Sequence, residues 1–365
     1  MRLASSLKFF LQAAAFGILM ALFLLLLFPQ LKTQPFEHWW RSQQVGVSSF
    51  SYAASRAGPA VVNIYTRSFQ PGASSPQLSA TSLGSGVIMS DQGYVLTNYH
   101  VIADADQVIV ALQDGRILTG EVTGFDVPTD LAVLKINAAK LPVIPQDDAL
   151  APQVGDIVLA IGNPYNVGQT ITQGIISATG RAGLSSMGPD SNGRQDLLQT
   201  DAAIHAGNSG GALINVYGEI VGINTASFQS LAHQESYGIN FAIPYALAHR
   251  IMLELINNGR VIRGYLGVSG ADIPPLMAQL LKLGERTGLY VEGVNEPGPA
   301  ARAGIKTEDV LLEIDGKPIR NTRHAMDTIA ETRPGTTIQV LLLRDGKLLT
   351  LPVKIEEDRR FQRIR

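Results

Sequence analysis

There is no cysteine anywhere in the 365 residues. Disulfides and thiolate-held metal centres are therefore excluded, and an oxidising compartment would do the chain no harm. Histidine-based metal chemistry has little footing either, because no H-E-x-x-H or comparable spacing occurs among the six histidines. Charged residues are sparse at 16%, and the net charge is only −2. Such a balance offers no basic footprint for nucleic acid. Neither a cofactor nor a nucleic-acid partner is expected. With 45% hydrophobic residues, wholesale disorder is excluded as well. The length exceeds one ordinary domain, so at least two cores are expected.

Glycine, by contrast, is abundant at 36 residues, and the most informative cluster is Gly207-Asn208-Ser209-Gly210-Gly211. A serine nucleophile needs donors for the negative charge of a tetrahedral intermediate. Backbone N–H groups on a tight turn ending at the serine supply them. Gly207 permits backbone angles that a Cβ would oppose, and Gly210 and Gly211 are read as leaving room for substrate backbone. A Gly/Ser turn arises easily by chance, so the motif needs a base and an orienting carboxylate elsewhere. Of the histidines, only His100 ends a strand-like run, Tyr94-Val95-Leu96-Thr97-Asn98-Tyr99-His100. Thirty residues on, Asp130 opens the apolar run Leu131-Ala132-Val133-Leu134. A carboxylate there can hold the imidazole Nδ1–H and fix its tautomer. The order His, Asp, Ser is that of chymotrypsin-like double β-barrels, not of subtilisins or α/β-hydrolases.

Thr97-Asn98-Tyr99-His100-Val101, Asp130-Leu131-Ala132-Val133 and Gly207-Asn208-Ser209-Gly210-Gly211 together resemble the three catalytic signatures of the HtrA (Deg) family of serine endopeptidases. The resemblance runs from about residue 50 to 355. It implies a mainly β fold: a chymotrypsin-like double β-barrel protease followed by PDZ modules. It also implies His100 as general base, Asp130 as its orienting group and Ser209 as nucleophile. The N–H groups of Gly207 and Ser209 would form the oxyanion hole. One departure is visible in Ala203-Ile204-His205-Ala206-Gly207, where the family usually has Asn in place of His205. His205 is read as a structural or regulatory substitution, not a second base.

Residues 9–28, from Phe9 to Phe28, form a 20-residue stretch whose only strongly polar member is Gln12. At about 1.5 Å per residue it matches the roughly 30 Å of a bilayer core. A cleaved signal peptide is the competing reading, but the run is long and Pro29-Gln30-Leu31-Lys32 offers no small-x-small site. An N-terminal transmembrane helix is therefore expected. Arg2, Lys8 and the terminal amine precede it, while Lys32 and Arg41 follow, which favours the N-terminus inside. The expected order is a cytoplasmic N-terminus (1–8), anchor (9–28), linker (29–48), protease (49–259), one PDZ domain (261–355) and a C-terminal tail (356–365).

Short strand-like runs recur at Ala60–Tyr65, Ser85–Met89, Gln107–Leu112, Leu131–Ile136, Ile157–Ile161, Thr170–Ser177, Ala212–Ile214 and Ile220–Asn224. Ser68–Ser82, Arg181–Gln195 and Ser227–Ser236 read as loops. Pro244–Asn258 switches to helical spacing, with Leu247, Ile251, Leu255 and Ile256 on one face and Gly259 as the stop. Arg263-Gly264-Tyr265-Leu266-Gly267-Val268 resembles a PDZ carboxylate-binding loop, so Tyr265, Leu266, Gly267 and Val268 are the predicted peptide-binding residues.

The order of one anchor, one protease and one PDZ resembles the membrane-bound, stress-sensing branch of the family. That resemblance implies a homotrimer in the bacterial inner membrane, with its catalytic and PDZ domains in the periplasm. C-terminal peptides of misfolded outer-membrane porins would activate it, and a transmembrane anti-sigma factor would be its substrate. By matching motifs, Arg181 would sense the bound peptide, while Tyr165 and Gln199 would help set the oxyanion hole. Two other readings stay open: a general periplasmic quality-control protease, and a catalytically silent PDZ adaptor.

Overall fold

The computed structural model describes residues 16, 20, 49–69, 78–163, 168–181, 197–205, 207–227, 238–281, 283–284 and 286–360. The described residues from Ser51 onward belong to one compact unit. The predicted anchor, save Phe16 and Met20, and the linker 29–48 lie outside the described residues. Among the described residues no helix is long and apolar enough to cross a membrane.

After a short helix α1 (Ser51–Ala57), six strands close into a barrel: β1 (Val61–Phe69), β2 (Leu78–Ile88), β3 (Tyr94–Asn98), β4 (Gln107–Ala111), β5 (Ile117–Asp126) and β6 (Leu131–Lys135). The order around it is β1-β2-β3-β6-β5-β4. A one-turn helix α2 (Tyr99–Ile102) follows β3 directly. Closure removes the unpaired edges that an open sheet would expose. Inside, Val62, Ile64, Ile88, Val95, Val110, Leu134 and Ile136 fill the space. Six further strands repeat the arrangement: β7 (Ile157–Gly162), β8 (Thr170–Arg181), β9 (Leu197–Thr200), β10 (Ala212–Asn215), β11 (Ile220–Ser227) and β12 (Asn240–Pro244). Their core holds Val158, Ile176, Leu198, Leu213 and Val221. Two closed barrels are thus the mainly β, double-barrel fold expected.

Helix α3 (Tyr245–Asn258) lies against β5, β6 and β11. Gly259 ends it in the left-handed region (φ 70°), donating its N–H to the Leu255 carbonyl. Its buried face is Tyr245, Ala248, Ile251, Met252 and Leu255, whereas Leu247 and Ile256 are half-buried flanks. The expected face was therefore rotated slightly, because Tyr245, Ala248 and Met252 fill the seam beneath the helix.

The strand assignments need correction in two respects. β5, β9 and β12 were not anticipated: Gly120, Glu121 and Gly124 break the apolar alternation of β5, and β9 has only four residues. Pairing with neighbours overrides the weak local signal. The expected loop Ser68–Ser82 is shorter, since Ser68 and Phe69 belong to β1 and Leu78–Ser82 to β2. Ser/Thr-rich composition hid a ladder made by backbone groups.

The C-terminal module contains β13 (Gly264–Tyr265), β14 (Val268–Asp272), α4 (Pro275–Leu280), β15 (Leu289–Val294), α5 (Pro299–Ala303), β16 (Val310–Ile314), β17 (Lys317–Pro318), α6 (Thr322–Glu331), β18 (Thr337–Arg344), β19 (Lys347–Lys354) and β20 (Glu356–Glu357). Its main sheet runs β14-β15-β16-β18-β19, which leaves β14 at an edge. Leu266, Leu289, Val291, Leu311, Val340, Leu342 and Ile355 form the core. Beyond residue 355 the chain continues as β20, which pairs with β13.

Candidate active site

His100 and Asp130 pair on the first barrel, and the turn bearing Ser209 is held against the same barrel. His100 stands on α2 at the end of β3, Asp130 on the turn before β6, and Ser209 on the turn before β10. The Asp130 Oδ2 lies 2.6 Å from His100 Nδ1, and Oδ1 accepts the His100 backbone N–H at 2.9 Å. Thr225, on β11 of the second barrel, donates its hydroxyl to the same Oδ2 at 3.2 Å. The carbonyl of Asp130 accepts from Asn98 Nδ2 (2.9 Å) and from the Tyr99 N–H (3.0 Å). These bonds over-determine a residue whose φ of 54° is uncommon for a side chain with a Cβ. The carboxylate thus has both a fixed direction and a fixed partner, which is what an orienting group requires.

Gly207 has φ 98°, the positive angle expected of it. The Asn208 N–H donates to the His205 carbonyl at 2.9 Å. Among the described residues, the N–H groups of Gly207 and Ser209 make no hydrogen bond. Among the described residues both amides are thus left open, as the donors of an oxyanion hole must be. His205 is exposed, and it is its backbone that shapes the turn. Asn208 is 1% exposed, yet neither atom of its side-chain amide has a hydrogen-bond partner.

The roles of Gly210 and Gly211 differ from expectation. A Cβ on Gly210 would stand 2.1 Å from the Ser85 carbonyl oxygen, and one on Gly211 would stand 2.2 Å from that of Ile161. The room beside the serine is filled by the chain's own backbone, not held open for substrate.

Ser85 was not anticipated and is the hub of the site. Fully buried on β2, it donates its hydroxyl to the Gly207 carbonyl (2.7 Å) and accepts the Asn163 N–H (3.0 Å). Its own N–H donates to the Ser209 carbonyl at 2.8 Å, and its carbonyl accepts the Thr97 hydroxyl at 2.7 Å. The first barrel thereby holds the serine turn of the second. The flanking Gly84 and Gly86 were the available signal, since glycine inside a strand marks close approach. Cβ atoms there would fall 2.5 Å from Val101 and 2.8 Å from Ile64. Ser85→Ala removes both hydroxyl bonds, the one to the Gly207 carbonyl and the one from the Asn163 N–H. Its kcat on a chromogenic peptide is expected to fall about tenfold, or about 1.4 kcal/mol. An unchanged rate would refute the hub.

Of the predicted regulatory residues, Gln199 lies half-buried on β9, opposite Phe241 and Ala178. Arg181 ends β8 opposite Leu197, with only its backbone described. Tyr165 lies outside the described residues.

In the C-terminal module, the Leu266 carbonyl accepts from the Ala300 N–H and the Gly267 carbonyl from the Asn295 N–H, both at 2.9 Å. Across a trans peptide the next N–H points the opposite way. The N–H groups of Gly267 and Val268 thus face away from α5 and β15, along the open edge of β14. The module is also tied to the first barrel. Arg263 grips Asp126 with two nitrogens, Nη2 to Oδ2 at 2.8 Å, and the Asp126 side chain is only 6% exposed. Asp126 Oδ2 also accepts the N–H (3.1 Å) and the hydroxyl of Thr129, the residue before Asp130. Sequence spacing gave no hint of this contact, which joins residues 137 positions apart.

Comparison with known proteins agrees with this geometry. The trypsin-like peptidase domain family matches residues 84–223, and the PDZ domain family matches residues 264–355. Serine endoprotease DegS of Escherichia coli K12 is 50% identical over 95% of this chain and 97% of its own. A crystal structure of the serine endoprotease from Yersinia pestis has 50% identity and a TM-score of 0.70, covering 85% of this chain and 98% of that one. The HtrA-type protease AlgW with a tripeptide has 46% identity and a TM-score of 0.75, covering 85% and 97%. A trypsin-like domain, a PDZ domain and half-identity along nearly the whole chain make this protein a serine endopeptidase belonging to the HtrA/Deg family.

Proposed function

We propose that this protein is a membrane-anchored regulatory endopeptidase whose cleavage rate is set by peptide binding to its PDZ domain. Ser209 attacks the scissile carbonyl, His100 takes its proton, and Asp130 holds the imidazole and stabilises its charge. The N–H groups of Gly207 and Ser209 receive the oxyanion. The stretch 9–28 anchors the chain in the inner membrane, with residues 49–355 in the periplasm and three copies assembled. C-terminal peptides of misfolded outer-membrane porins add to the β14 edge with their carboxylate at Tyr265–Val268, and a transmembrane anti-sigma factor is cut. Arg181, Tyr165 and Gln199 relay occupancy to the serine turn.

The observation that carries this reading is the Arg263–Asp126–Thr129 contact, which joins the start of the PDZ domain to the turn bearing Asp130. Peptide binding that moves the PDZ domain therefore has a route to the triad, and a shift in rate requires such differential contact between states. The test is cleavage of a reporter peptide by the full chain in detergent, with and without a porin C-terminal peptide. Stimulation of about 5- to 150-fold is expected for a coupling of ordinary strength. Equal rates would instead favour the general quality-control protease.

A further inference from the structure

We propose that the segment after the last long strand, Glu356–Arg360, belongs to the peptide-binding site, and that Arg360 is a positioning residue for the carboxylate-binding loop. The inference rests on the reading of Tyr265–Val268 as that loop.

β20 pairs antiparallel with β13, placing Glu356 opposite Tyr265 and Glu357 opposite Gly264. The next residue, Asp358, donates its N–H to the Arg263 carbonyl at 2.9 Å. The Asp358 carboxylate is 2% exposed and takes a two-pronged grip from Arg360, Nε to Oδ1 at 2.9 Å and Nη2 to Oδ2 at 2.8 Å. So held, the guanidinium sits over the Tyr265 ring, 4.8 Å from its centre. A planar cation on an aromatic face is attractive, more so where water is partly excluded.

The Tyr265 ring is in turn pressed on the loop. A Cβ on Gly267 would stand 3.3 to 3.4 Å from ring atoms Cε1, Cζ and Oη. The Tyr265 hydroxyl accepts from Asn295 Nδ2 at 2.7 Å, while the Asn295 N–H donates to the Gly267 carbonyl at 2.9 Å. Arg302, on α5, pairs with Glu356 and so fastens the same segment from a second side. Tyr265 therefore acts as a brace for the loop. It is clamped between Arg360, Asn295 and the backbone of Gly267.

The consequence concerns preorganisation. Gly267 sits at φ 84°, in a region a glycine leaves easily. A carboxylate is captured by N–H groups already pointing at it, and any freedom in the loop must be lost on binding. Removing the cation that holds the Tyr265 ring frees the ring, and through it Gly267. The loss should fall on carboxylate recognition, not on the groove as a whole.

The test measures binding of a fluorescein-labelled decapeptide ending in phenylalanine, as free acid and as C-terminal amide, to the full chain in detergent. Wild type is expected to prefer the acid. Arg360→Ala is expected to weaken the acid about fivefold or more, leave the weaker amide affinity unchanged, and be partly rescued by Arg360→Lys. Arg359→Ala removes a neighbouring charge from an exposed side chain, and its binding should stay within about twofold of wild type. If Arg360→Ala lowers the melting temperature, Tyr265→Phe takes its place, since it keeps the ring and loses only the Asn295 bond. Wild type binding acid and amide equally would overturn the loop reading and this inference with it. A clear preference in wild type that Arg360→Ala leaves intact would overturn the brace alone. An equal loss for acid and amide would make Arg360 merely structural.

Discussion

Replacing Asp130 by Asn is expected to lower kcat about 10⁴-fold while leaving the fold intact. The backbone argument comes first. Asp130 holds φ 54°, and Asn tolerates that region about as well as Asp does, so the turn should survive. Its carbonyl keeps its bonds from Asn98 and Tyr99, and Oδ1 still accepts the His100 N–H. Only the Oδ2 position changes, from an anionic acceptor 2.6 Å from His100 Nδ1 to an NH₂ donor. Two donors cannot face each other at that distance, so Nδ1 must become the acceptor and Nε2 carry the proton. An imidazole in that tautomer cannot take a proton from Ser209, and the imidazolium loses its counter-charge. The Thr225 hydroxyl must also turn away or find another acceptor. Four decades in rate correspond to about 5.4 kcal/mol of transition-state stabilisation. Steady-state cleavage by the full chain, with thermal unfolding as a control, measures both halves of the claim. A loss smaller than about tenfold would mean that Asp130 is not the orienting group.

The His100–Asp130 pair was legible in the sequence because both residues sit at the end of an apolar run, where local pattern fixes position. His100 closes Tyr94–Asn98 and Asp130 opens Leu131–Lys135, so the periodicity that builds the barrel also places the chemistry. The serine turn was legible for another reason: glycine tolerates the angles it needs, and Gly207 does sit at a positive φ. The support of that turn was not legible. Ser85 is one serine among many in a strand with weak apolar alternation, and its four bonds reach residues 12 to more than 120 positions away. The same holds for Asp126, which ends a strand that local pattern did not reveal. A side chain whose meaning lies wholly in long-range partners has no signature at its own position. Gly210 and Gly211 show the converse error, since a local reading assigned to substrate a space that Ser85 and Ile161 occupy.

The second large effect is expected at Arg263, where function and stability separate cleanly. Arg263→Ala leaves Asp126, 6% exposed, without its cationic partner. Breaking a buried pair from one side typically costs about 3–5 kcal/mol, because the remaining charge stays desolvated. A small cavity beside the pair, lined by Phe125, Val127, Arg260 and Val261, measures about 40 Å³. It has room for a water, so the lower end of the range applies. A loss of about 3 kcal/mol should lower Tm by roughly 6–12 °C. Thr129 keeps its bonds to Asp126, so the Asp130 turn persists and a protease able to cleave should remain. What the variant loses is the tie between that turn and the PDZ domain. The ratio of peptide-stimulated to basal cleavage is therefore expected to shrink several-fold. The double variant Asp126→Asn/Arg263→Met removes the stranded charge and should recover much of the Tm, as neutral replacements of buried pairs generally do. It restores no link, so its stimulation ratio should stay low. Recovery of the ratio together with Tm would mean that the contact stabilises the protein without transmitting anything. An Arg263→Ala chain that keeps the full stimulation ratio would exclude this contact as the route from peptide to triad.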